Sequence, residues 1–133
     1  MPLLRRVPLL IGLLAALGAV PLQAADNAFL IQGPVQVEES VQMAHNCFAN
    51  KGMTPARFRL LSDELKREYL KDTTPAAARK VSFRYLGSCP GGFKGSCEGI
   101  FGEKASLHYM ADDYLMKGGM AKLFCEASDG RWK

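Results

Sequence analysis

Between residues 38 and 50, Val41, Ala44 and Phe48 recur at helical spacing with Cys47 beside them, so the pattern predicts a first helix. Glu38 and Glu39 fall in its first turn, where carboxylates complement the helix dipole. Lys51-Gly52 suits its end, because glycine adopts the left-handed conformation that closes a helix. A second helix is marked more sharply. Thr54 can cap it, Pro55 fits the first helical position, and Phe58, Leu61, Leu65 and Tyr69 make one apolar stripe. Pro75 stops it, since the residue before a proline is pushed out of the helical region.

After residue 79 the period changes. Val81, Phe83 and Tyr85 alternate with Lys80, Ser82 and Arg84, the mark of a half-buried strand. Residues 87–95, GSCPGGFKG, are turn chemistry throughout. Ile100-Phe101 and residues 107–110 supply further extended segments, and Asp112-Asp113 reads as a turn. Residues 114–116 and 120–127, joined by Lys117-Gly118-Gly119, read as a hairpin. Ahead of all these, Phe29-Leu30-Ile31 is a short apolar run, an edge strand or lead-in, interrupted by Gly33-Pro34. The expected class is therefore α+β, with two N-terminal helices packed on a three- to four-stranded antiparallel sheet.

The first 24 residues do not belong to that fold. Arg5 and Arg6 precede an apolar run over residues 9–20, and Leu22-Gln23-Ala24 offers a cleavage site. The run is short for a membrane span, so residues 1–24 read as a signal peptide and residues 25–133 as one small domain. Its style points to the periplasm, with secretion as the alternative. The formal charge of the chain is +4, and loss of the two leader arginines leaves +2. That is too little for a nucleic-acid footprint, so no nucleic-acid partner and no membrane insertion after cleavage are expected.

Export changes the meaning of the four cysteines, Cys47, Cys89, Cys97 and Cys125. In an oxidising compartment an even number predicts disulfides. Three connectivities are open. The pattern favours Cys89–Cys97 across the base of the glycine-rich loop and Cys47–Cys125 from helix to sheet. The competing arrangement joins Cys47 to Cys89 and Cys97 to Cys125. No C-x-x-C pair occurs, and the spacing does not suit zinc.

Several side chains invite chemistry. A loop closed by Cys89–Cys97 would display Phe93 and Lys94, an aromatic beside a cation, as a partner-binding tip. The alternative is a stapled turn with Phe93 folded onto the sheet. His45 and His108 would serve as base and acid of a small hydrolase if they met. Met43, Met110, Met116 and Met120 lie near the histidines in sequence, which suits copper, yet methionine also fills cores. Asp112-Asp113 lacks the alternating oxygen ligands of a calcium loop. Phosphate-loop, dinucleotide and G-x-S-x-G patterns are absent. The expectation is a non-catalytic exported domain that binds another protein, as an inhibitor or immunity protein against an envelope-targeting enzyme does. No catalytic residue, metal or cofactor is expected in it. A hydrolase built on His45 and His108 and an envelope-assembly accessory factor are the alternatives.

Overall fold

The structure, a computed structural model, describes residues 26–133. The predicted leader and its cleavage site lie outside the described residues. The chain begins with β1 (Ala28–Val37) and β2 (Ser40–Asn50), followed by α1 (Pro55–Leu70), a single turn α2 (Pro75–Ala78) and β3 (Ser82–Leu86). Then come β4 (Gly95–Glu98), β5 (Ala105–Tyr109), α3 (Met120–Ala127) and β6 (Arg131–Trp132), with short 3-10 turns at Ile100–Gly102 and Tyr114–Gly119. All six strands join one antiparallel sheet in the order β3-β1-β2-β5-β4-β6.

This overturns the expectation of two N-terminal helices on three or four strands. The segment 38–50 is not a helix but most of β2, paired with β1 from Ala28↔Ala49 to Val37↔Ser40. Its apolar residues fall at helical intervals by coincidence, and tertiary pairing decides the matter. The run around Phe29 is no lead-in either: β1 continues through Gly33-Pro34, with Pro34 beyond the last residue paired to β3. There no strand pairs with β1 on that side, where Ala77 and Lys80 lie instead, and such an unpaired flank is where a strand tolerates proline. Residues 120–127 form α3 rather than a hairpin strand, 114–116 lie in a 3-10 turn, and so does Ile100-Phe101. The stretch 54–70 folds as its sequence indicates. Thr54 accepts a hydrogen bond from Arg57 N at 3.3 Å, and Phe58, Leu61 and Leu65 are buried.

Side chains alternate across a sheet, so the register assigns every strand residue a face. Phe29, Ile31 and Val35 of β1, Ala44, Asn46 and Phe48 of β2, and Ala105, Leu107 and Tyr109 of β5 share the covered face. α1 and α3 lie over it. Phe48 stacks on Phe58 of α1 with ring centroids 5.3 Å apart, and both are fully buried. Each such ring contributes about 1.5–3 kcal/mol by leaving water. The opposite, open face carries Leu30, His45, Cys47, Ala49, Ser106, His108, Ser96 and Glu98.

The disulfides follow from this division. Cys47–Cys89 and Cys97–Cys125 form, with Cα separations of 5.9 and 5.5 Å, so the favoured connectivity is corrected to the competing one. Cys47 points from β2 to the open face. Cys97 points from β4 to the covered face, where Cys125 of α3 meets it. The sheet stands between the two bridges, so neither Cys89–Cys97 nor Cys47–Cys125 can close without crossing it. Two bridges fit a compartment outside the cytoplasm. No described helix is long and apolar enough to cross a membrane.

Candidate functional site

The glycine-rich segment does not form a closed, projecting loop. Its disulfide runs back to the centre of the sheet, and the segment lies along the open face. Phe93 is half-buried there. Its ring stacks on His108 at 4.5 Å between centroids and 24° between planes, and it packs with Cys89 and Leu86 against Leu30, Cys47 and Ala28. Lys94 stays exposed. Of the predicted tip, one residue faces solvent and the other covers the sheet.

His45 and His108 do share the open face. Cys47 is the register partner of His108, and His45 lies two residues along β2. Each imidazole is nevertheless engaged separately. His45 Nδ1 contacts Asp112 Oδ1 at 2.7 Å. His108 lies under Phe93, where burial pushes it below the ordinary histidine range, Lys51 adds to that push and Glu98 opposes it. No hydrogen bond joins the two rings among the described residues. Glu98 accepts from the Ser106 and Ser96 hydroxyls, and the Ser106 bond chiefly holds its carboxyl below the usual range. No cluster of three or more His, Cys, Asp or Glu side chains with metal-binding geometry occurs among the described residues.

Asp112-Asp113 holds two functions that the turn reading missed. Asp112 orients His45. Asp113 is fully buried and accepts from His45 N at 2.7 Å, Asn46 Nδ2 at 3.0 Å and Leu115 N at 2.8 Å. Burial raises its carboxyl above the usual range against the pull of those bonds. Asn46 Nδ2 also donates to Tyr69 Oη at 2.7 Å, so one polar cluster ties β2 to the end of α1 and to the segment after β5. A D-D pair in a turn with an isolated Asn on an apolar strand was the only available signal.

The largest departure from expectation is on the helical side. Ala121 and Cys125 anchor α3 inward, and its apolar stripe Met120, Leu123 and Phe124 faces out, with Leu123 65 % exposed. Beside it stands Phe101, exposed at 37 % and held at φ 62°. A bulky side chain in the left-handed region costs about 1 kcal/mol or more. That backbone leaves the ring between the buried Phe48, 6.5 Å away between centroids, and solvent. Between α1 and α3 run two adjoining hollows of about 330 and 510 Å³, which share Leu65, Glu68 and Phe124. Their lining includes the carboxylates Glu38, Glu64, Glu68, Asp72 and Glu103 against two cations, Arg57 and Lys71. Arg57 is already spent on Glu103, its Nε donating at 3.0 Å. The groove is thus apolar in its floor and acidic at its rim, on a chain whose total charge is positive.

The chain matches no known family model, no curated protein and no solved structure.

Proposed function

We propose that this chain is an exported, non-catalytic protein-binding domain of the periplasm, and that the α1–α3 groove is its recognition surface. One observation supports this above the rest: a stripe of large apolar side chains on α3, joined by a strained exposed Phe101, flanks a groove with an acidic rim. Apolar centres ringed by charge are the anatomy of protein interfaces. The rim selects the occupant. Unpaired carboxylates at Glu64, Glu68 and Asp72 favour a partner segment that offers bulky apolar anchors flanked by Lys or Arg, and disfavour an acidic one. An inhibitor or immunity protein acts through such a surface by covering a basic, apolar site on an envelope-targeting enzyme. The 87–94 segment is less suited, because Phe93 is already stacked on His108.

The test uses two synthetic amphipathic peptides with identical apolar positions, one carrying lysines and the other glutamates between them. The mature protein should bind the basic peptide, lose that binding in added salt, and lose it in a Leu123→Ser, Phe124→Ser variant. Equal binding of both peptides, or undiminished binding by the variant, would reject the groove as the recognition surface.

A further inference from the structure

The open face holds a second feature, independent of the groove. Lys51 N donates to Lys104 O at 2.8 Å, so the two lysines continue the β2–β5 ladder as a directly opposed pair. Lys51 turns toward the open face, where it lines the hollow described next, while the Lys104 stem runs beside Gly52. Like charges placed opposite each other destabilise a ladder. Neither lysine has a carboxylate within ion-pair distance among the described residues. Next to them, under the 87–94 segment, lies a hollow of about 300 Å³. Lys51, His108, Phe93, Ser88 and Asn27 line it, and its lining contains no carboxylate. The Cys47–Cys89 bridge fixes the wall that closes it.

We propose that this hollow is a binding site for a small organic anion bearing a phosphate or carboxylate group. The Lys51 ammonium and a protonated His108 take the oxyanion, and Phe93 covers the apolar body. The groups facing His108 are Lys51 at the end of β2, Glu98 of β4, and Phe93 above it; Lys133 acts on Glu98 in turn. Glu98 lies outside the hollow and is occupied by Ser96 and Ser106. An anion beside the imidazole favours its protonated form, so anion affinity and His108 protonation rise together, each changing the other by the same factor.

Sulfate is the suitable first probe, because its charge is constant between pH 5 and 8, and acetate is the carboxylate counterpart. NMR titration of the two histidines in the mature protein reads the effect. Saturating sulfate or acetate should raise the His108 midpoint by about half a unit or more and leave His45 still, and the stronger of the two names the anion class. Lys51→Met should weaken that ligand at least fivefold while the rest of the spectrum is retained. Vesicles of phosphatidylglycerol form a separate arm. Association lost in Lys51→Met assigns a lipid headgroup, and binding of the free anion without vesicle association assigns a soluble ligand. Equal movement of His45 and His108, or wild-type affinity in Lys51→Met, would overturn the proposal.

Discussion

Phe93 lies flat on His108, 4.5 Å between ring centroids, and so converts what looks like a displayed loop into a cover over the open face of the sheet. The contact removes water from one side of the imidazole, and burial is the main reason this histidine resists protonation. Replacing Phe93 with Ala should therefore let the His108 midpoint climb toward the ordinary value. The loss of a half-buried ring should cost about 1–2 kcal/mol. Histidine NMR titration checks the first effect and urea unfolding the second. An unmoved His108 midpoint would mean that the strand environment, not Phe93, excludes the water.

The two bridges differ in access although they close loops of similar size, with sequence separations of 42 and 28. In the loop-entropy picture each contributes roughly 3.5–4 kcal/mol. Cys97 and Cys125 are both fully buried between sheet and α3, whereas Cys89 is partly exposed. Mild thiol reductant should open Cys47–Cys89 first, read as alkylation of Cys47 and Cys89 by mass spectrometry. Loss of Cys97–Cys125 should release α3 as well, since eight residues do not hold a helix unaided. Simultaneous alkylation of all four cysteines at the earliest time points would refute the ordering.

Gly130 is a packing requirement of the buried bridge. A Cβ built there would lie 2.2 Å from Cys97 Sγ and 2.9 Å from Cys125 Sγ. Neither sulfur can retreat, because one is fixed by the sheet and the other by α3. Gly130→Ala should cost about 2–3 kcal/mol and lower the thermal midpoint measurably. A variant as stable as the parent would show that the turn from α3 to β6 can shift freely.

The parts of this fold legible in the sequence were those governed by local chemistry. The Thr54-Pro55 start of α1 and its stripe from Phe58 to Leu65 carry their own signals, and so does the alternation that ends in β3. β2 was hidden for a physical reason. Its covered face includes the polar Asn46, while its open face gains Cys47 and Ala49, buried by the 87–94 segment and its surroundings. With both faces buried at one end, period-two alternation disappears. α3 was hidden because eight residues are too few to separate a helix from a strand, and because its most apolar residues face out. The disulfide partners depended on which face each strand turned to Cys47 and Cys97, so they could not be read before the register was known. The acidic groove is likewise a product of packing, drawn from Glu38, Glu64, Asp72 and Glu103 across segments far apart in sequence.

Acid stability should carry the signature of His108. In the unfolded chain this histidine protonates near the ordinary value of about 6.5; in the folded protein burial and Lys51 depress it. Between those two values the unfolded state binds more protons, so stability is fully present above about pH 6.5 and is lost as pH falls toward the folded value. Two carboxyls act lower down and in opposite senses. Glu98, depressed by its serine bonds, loses stabilisation below its unfolded value of 4.5, whereas Asp113, raised by burial, gains relative stability as the pH approaches 3.8. Both carboxyls are retained in a His108→Gln variant, so over the interval from pH 7.5 to 5 the difference between that variant and the parent isolates the histidine. Urea midpoints measured across it in low salt should fall for the parent and fall less for His108→Gln, with His45 common to both. Parallel curves for the two proteins would show that His108 titrates alike in the folded and unfolded chains, and the account of a desolvated imidazole beneath Phe93 would have to be abandoned.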